Sequence, residues 1–236
     1  FQKLAFKKIK EIQNMSWKAK RDKTPFLVGG TGFYIKSVVD NIVIPEVKPN
    51  WKLRKKLAQK STSELYKILL DLDPRRAKKI DKKNPRRLIR AIEIVKTTQK
   101  PVQPFRLGSL RLLSGSKENQ SYLLIGIKKT PEELKSAIYK RLQKRLNRGL
   151  VIELKKLHRN DLSWKRLEEL GLEYRFVAQY LQGKINYQEM KNKIQKESEH
   201  LAKRQMVWFK KDKRIKWVKN YKEAEVLVKS FIKNKK

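Results

Sequence analysis

Residues Pro25 to Tyr34 read Pro-Phe-Leu-Val-Gly-Gly-Thr-Gly-Phe-Tyr, placing three glycines and one hydroxyl between an apolar run and the start of a helical pattern. Such a segment suits anion binding. Glycines at the carboxyl end of a strand let backbone N–H groups converge, and the positive end of the following helix adds to the attraction for phosphate. Gly29, Gly30 and Gly32 shape the turn, and Thr31 is its one side-chain donor. The same ten residues also describe an ordinary strand-to-helix turn of an α/β protein, so other parts of the chain must decide between the two.

Two cationic segments bear on that choice. Asn84-Pro85-Arg86-Arg87-Leu88-Ile89-Arg90-Ala91-Ile92-Glu93 opens with a helix cap and a proline suited to the first helical position. Its spacing turns Leu88, Ala91, Ile92 and Val95 toward a core and leaves Arg86 and Arg90 on an exposed face. Arginines held there can fork onto phosphates or stack on bases. The plainer alternative is a solvated face on which Arg90 pairs with Glu93 at i, i+3. Farther on, His200 to Phe209 mixes cations with aromatics. Lys203 and Arg204 can track a phosphate backbone, while Trp208 and Phe209 either stack on bases or join Leu201 and Val207 in a core.

The composition favours a polyanion as partner. The 236 residues include 61 Lys plus Arg against 23 Asp plus Glu, a formal net charge of +38. Self-repulsion of that size is relieved when phosphates bind and release their counterions. Lysine accounts for 44 of the cations and is scattered along the whole chain, so part of the excess reflects compositional bias. Cysteine is absent and His158 and His200 are the two histidines, which excludes disulfides and Cys/His zinc sites. No run approaches the roughly 18 apolar residues that span a bilayer, and the amino end lacks a signal-peptide core. The expectation is a soluble, cytoplasmic monomer that makes no membrane contact.

The elements that must carry these residues follow from periodicity and caps. A helix over Leu4 to Ile12, a buried strand over Phe26 to Val28 and a helix over Phe33 to Ile42 precede an extended linker from Pro45 to Pro49. Trp51 to Thr98 is helical throughout, with Leu53, Leu57, Leu65, Ile68, Leu69 and Leu72 as core positions and Asp73-Pro74 as a helix start. Gln99 to Gln120 has no period and reads as a loop, and Tyr122 to Ile127 reads as a buried strand. Thr130-Pro131-Glu132-Glu133 is a capping box that opens a helix to about Arg148, and Gly149 marks a bend. A helix pair over Tyr174 to Leu181 and Tyr187 to Trp208, a strand over Ile215 to Val218 and a helix over Lys222 to Ile232 complete the chain. The fold class is α/β, divided as residues 1–45 (partial core), 46–120 (helical insertion) and 121–236 (return to the core with basic helices).

Four motifs in order and spacing resemble the tRNA dimethylallyltransferases. They are Val28-Gly29-Gly30-Thr31-Gly32-Phe33-Tyr34-Ile35-Lys36, Asn84-Pro85-Arg86-Arg87 with Arg90-Ala91 and Glu93, Tyr174-Arg175 with Tyr180-Leu181, and Ala202-Lys203-Arg204-Gln205 with Trp208-Phe209. The resemblance implies a parallel-sheet core like that of the P-loop nucleotide kinases, with a helical insertion. It also implies transfer of a dimethylallyl group from dimethylallyl diphosphate to the exocyclic amine of adenosine 37 in tRNAs that read codons beginning with uridine. By the same resemblance Thr31 and Arg175 flank the departing diphosphate, and Gly29, Gly30 and Gly32 form the loop beside it. Arg54, Arg86, Arg87, Leu88, Ile89, Arg90, Lys203, Arg204 and Gln205 contact tRNA. Mg²⁺ is the implied cofactor, with its ligands expected outside this chain.

The chain also departs from that family. It contains no Gly-x-x-x-x-Gly-Lys phosphate loop and no Asp-Ser-x-Gln segment carrying the general base, and it starts with Phe1 near the family's third strand-and-helix unit, so an amino-terminal truncation is expected. Glu173 stands where a glycine usually precedes Tyr174-Arg175, and Phe176 stands where an acidic residue is common. Two alternatives remain open: an inactive RNA-binding remnant, and an adenylate isopentenyltransferase. The second uses a free nucleotide and has no need of so large a basic surface.

Overall fold

The computed structural model describes residues 1–19, 24–102 and 122–233. The chain divides into two compact units, one comprising Phe1–Leu27 and Phe33–Gly115, the other Val28–Gly32 and Ser116–Lys236. The loop that Gln99 to Gln120 was expected to form lies almost wholly outside the described residues.

In the first unit, α1 (Gln2–Ala19) and α2 (Gly32–Val39) are joined by polar ties. The Gln2 side-chain amide donates to the Ser37 carbonyl at 2.6 Å and to the Ile42 carbonyl at 2.9 Å, and the Phe1 ring stacks on Tyr34 with centroids 4.7 Å apart. Asn41 adopts a left-handed conformation just past α2, a geometry that asparagine tolerates and that stops the helix. Four further helices, α3 (Trp51–Ala58), α4 (Thr62–Leu72), α5 (Pro74–Lys79) and α6 (Pro85–Thr98), enclose one apolar core built on Leu57, Leu65, Leu69, Leu88 and Ile92. Each begins with a side chain that accepts from an otherwise orphaned N–H: Asn50, Ser61, Asp73 and Asn84. Asp73 does more than cap, because its second oxygen accepts from the buried Val102 N–H at 2.7 Å and fixes the exit from α6.

The second unit contains β1 (Ile125–Ile127), α7 (Pro131–Asn147), α8 (Leu150–Arg159), α9 (Trp164–Leu170), α10 (Leu172–Leu181), α11 (Tyr187–Phe209), β2 (Lys216–Val218) and α12 (Tyr221–Lys233). β1 and β2 pair in parallel, Ile125 opposite Lys216 and Ile127 opposite Val218. Leu142, Leu150, Leu154, Leu167, Val177, Met190 and Ile194 form its core. The Thr130 and Glu133 capping box is present as expected, and Gly149, at φ 91°, turns the chain from α7 into α8.

Three expectations change. Phe26 to Val28 is not a strand but an irregular segment, with Val28 90% exposed. The two strands described pair with each other, and neither pairs with Phe26 to Val28, so among the described residues its backbone joins no ladder. The strand expected from Tyr122 shortens to three residues, one of them exposed, because its ladder is only as long as β2. Leu201 and Val207 are exposed, so the carboxyl half of α11 does not build a core.

A buried carboxylate joins α3 to α6. Glu93, 0% exposed, accepts a two-pronged pair from Arg54 (2.8 and 2.7 Å), a bond from Arg90 and one from the Asn50 N–H at 2.7 Å. Arg90 also donates to the Val47 carbonyl at 3.0 Å, which ties the linker into the same knot. Burial pushes the Glu93 carboxyl up, but the bonds from Arg54, Arg90 and the Asn50 N–H outweigh it and hold its pKa down to about 2, against an ordinary 4.5. A carboxyl whose pKa falls on folding contributes stability that is complete above its unfolded value and is lost as pH drops through the folded one. Stability of the chain measured by urea unfolding should therefore hold above pH 4.5 and fall progressively toward pH 2. Glu93→Gln should remove about 3 to 5 kcal/mol at neutral pH, the cost of breaking a buried pair from one side, and flatten that acid dependence.

Candidate functional site

The glycine loop and the basic stretch of α11 meet in the second unit. A Cβ placed on Gly30 would overlap the Gln205 side-chain amide, and one on Gly32 would overlap the Trp208 indole. Both glycines are thus sites of close approach, and Gly32 opens α2 with its backbone N–H groups directed along the helix axis toward the loop. Gly29 has open space where a Cβ would stand, and Thr31 is exposed beside it. Trp208 settles the choice left by the sequence in an unforeseen way. It is 46% exposed, belongs to no apolar core cluster, and lies against Gly32. Lys203 and Arg204, both exposed and on the same helix, form no ion pair among the described residues.

Arg175 lies on α10, which packs against α11, and its side chain is exposed. The residues around it are held by side chains that the sequence motif did not reveal. Tyr174 donates its hydroxyl to Glu153 at 2.7 Å, and that hydrogen bond, with burial, raises the phenol pKa. Glu173, in the place where a glycine was expected, is gripped by Arg141 at 3.2 Å and by Arg145, both from α7. The substitution thus adds an anchor between α10 and α7.

In the first unit, the structure sorts the expected tRNA contacts into two kinds. Arg86 and Arg87 are exposed at the start of α6. Leu88, by contrast, is 0% exposed in the core and Ile89 packs partly against it, so their side chains position the helix and present no surface to a ligand. Arg54 and Arg90 are engaged by Glu93, and the bond to Glu93 raises the Arg54 pKa further. Both side chains are thus members of a structural knot around Glu93, and each keeps about a third of its surface in solvent. Periodicity identified Glu93 as a pairing partner for Arg90, but its link to Arg54, 39 residues away, has no local signature.

Among the described residues no group of three or more Asp, Glu, His or Cys side chains is placed to hold a metal ion. No helix of the described residues is long and apolar enough to cross a membrane.

The crystal structure of a tRNA isopentenylpyrophosphate transferase from Bacillus halodurans is similar over 99% of this chain and 72% of that one, with a TM-score of 0.61 at 25% identity. A eukaryotic dimethylallyltransferase caught acting on tRNA shares the fold, at TM-score 0.60 and 19% identity. The fold is that of an α/β protein, mostly helical with a small parallel sheet, similar to tRNA isopentenyltransferase structures. The chain belongs to the IPP transferase family, whose sequence model matches residues 1–212. Its relatives include tRNA dimethylallyltransferase 2 of Treponema denticola, 36% identical across 88% of this chain and 72% of the relative. The tRNA dimethylallyltransferase of Finegoldia magna is 32% identical across 100% of this chain and 74% of the relative.

The two glycine contacts differ in what must yield. An alanine at position 30 displaces only the end of a flexible glutamine, whereas one at position 32 meets a rigid indole. Gly32→Ala should lower the thermal midpoint by the equivalent of about 1 to 3 kcal/mol, and Gly30→Ala by clearly less. Adding Trp208→Ala to Gly32→Ala should recover part of the loss, as calorimetry of the four proteins would show.

Proposed function

We propose that the chain belongs to an enzyme that transfers a dimethylallyl group from dimethylallyl diphosphate to the exocyclic amine of adenosine 37 in tRNAs reading codons that begin with uridine. The reading is carried by the glycine loop seated against Gln205 and Trp208, in a chain whose relatives are tRNA dimethylallyltransferases.

An adenine amine is a weak nucleophile, because its lone pair is delocalised into the ring. The catalyst must therefore stabilise the diphosphate as the allylic C–O bond breaks and the N–C bond forms. Thr31, exposed beside Gly29, donates its hydroxyl to an oxygen of the departing diphosphate, and the loop N–H groups with the α2 dipole share the charge. Arg175 adds positive charge to the same group. Arg86, Arg87, Lys203, Arg204 and Gln205 contact the tRNA, and the target adenosine leaves its stack to reach the loop. Arg54, Arg90, Leu88 and Ile89 serve that contact indirectly, by fixing the helix that carries Arg86 and Arg87. The amine proton passes to a base that the family resemblance places in an Asp-Ser-x-Gln segment, which the sequence does not contain. The cytoplasm, where tRNA is modified, is the proposed location, and the working form is a monomer.

Transfer of labelled dimethylallyl from its diphosphate to unmodified tRNA tests the reading, with AMP as the competing acceptor. Label on tRNA at adenosine 37 supports it. Label on AMP would favour an adenylate acceptor, and tight tRNA binding without transfer would favour an RNA-binding role. In this protein, Thr31→Ala should lower kcat by about 100-fold, the usual loss for one donor to a developing anion, with tRNA affinity nearly unchanged. Equal losses in both would remove Thr31 from the reacting centre.

A further inference from the structure

A cleft in the first unit lies outside the glycine loop and gathers four guanidinium groups. Its volume is about 290 Å³, and Arg76, Arg86, Arg87 and Arg90 line it above a floor that includes Ile94 and Val102. Arg76 enters from α5, the others from the amino-terminal half of α6. The floor residues are buried apolar side chains, 9% and 8% exposed.

The charges in this cleft are not balanced. Arg90 is held by Glu93, and Arg87 reaches Asp81 only at 4.0 Å. Arg76 and Arg86 have no acidic partner among the described residues. The Nε of Arg76 is also buried with no hydrogen-bond partner, although the Arg76 backbone N–H is satisfied by Asp73. A buried guanidinium N–H left unpaired is costly, and a water, an ion or a ligand ordinarily completes it. Arginine is suited to that ligand being a phosphate, since its planar fork matches phosphate oxygens with paired N–H groups.

The geometry points to this cleft as a seat for one nucleotide of the bound RNA. Its backbone phosphate lies between Arg76 and Arg86, and its sugar or base rests on the apolar floor of Ile94 and Val102. Arg76 is the new element. It stands outside the Arg86 to Arg90 segment and on a separate helix, so the two helices grip the phosphate from two directions. Glu93 holds Arg90 in place at the far end, and Asp73 fixes both the start of α5 and Val102. The inference rests on the tRNA-directed function proposed above and adds to it the residue that orders one phosphate.

Binding of unmodified tRNA by the protein, measured over a range of salt, tests it. Arg76→Gln should weaken binding by about tenfold and reduce the slope of log affinity against log salt by about one, the signature of a single lost phosphate contact. Arg76→Lys should restore the slope but not the full affinity, because an ammonium supplies charge without the Nε fork. In the unaltered protein, the Arg76 Nε–H resonance should shift on titration with tRNA. It should move far less with the same concentration of inorganic phosphate, which lacks the rest of the nucleotide. A resonance unmoved by tRNA, or an Arg76→Gln protein with wild-type affinity and slope, overturns the inference while leaving transfer to tRNA intact. Failure of the unaltered protein to bind tRNA at all would instead overturn the proposed function itself.

Discussion

Sixty-one cations share twenty-three carboxylates in this chain, and where each carboxylate sits decides which arginines are tied and which stay available. The buried or half-buried acids are spent on the fold. Glu93 binds Arg54 and Arg90, Glu173 binds Arg141 and Arg145, and Asp212 binds Arg214 at 2.6 Å. Apart from the Arg90–Glu93 pair within α6, these pairs join separate elements or close a turn, so the small supply of negative charge is concentrated where the backbone must be held. Arg76, Arg86, Arg175, Lys203 and Arg204 lie outside those knots. A protein built this way holds its scaffold with few carboxylates and leaves other cations outside those pairs.

Helix starts were the most legible part of the sequence. Asn84-Pro85, Asp73-Pro74 and Thr130-Pro131 with Glu133 each placed a helix correctly, because a cap acts on N–H groups within three residues of itself. The Leu65, Leu69, Leu88 and Ile92 core was legible for the same local reason, a 3.6-residue period. Strands were less so. Phe26 to Val28 has the composition of a buried strand, but a strand exists only with a hydrogen-bonded neighbour, and neighbours are not written into three residues.

The site was legible as a set of motifs but not as a set of roles. Its glycines and the Arg86 to Arg90 segment stood out by spacing and Arg54 by the family resemblance, but spacing gave no sign that one carboxylate on α6 holds both Arg54 and Arg90. Trp208 illustrates the same limit. Between core and base-stacking, the sequence offered no third choice, and the structure places the indole against Gly32, more than 170 residues earlier. Contacts of that span depend on the assembled fold, and so does the burial of the Arg76 Nε beside the arginines of α6, which nothing in the local sequence marks.

The parallel pairing of β1 with β2 has a kinetic meaning. Ile125 and Lys216 are opposite each other, but the chain between them holds α7 through α11, which have their own apolar core. Loop closure across so long an unstructured segment is unfavourable for a ladder of three residues, whereas neighbouring helices meet after short turns. On these grounds the sheet is expected to form after the helices, which bring the strands within reach before the ladder closes the ends of the unit.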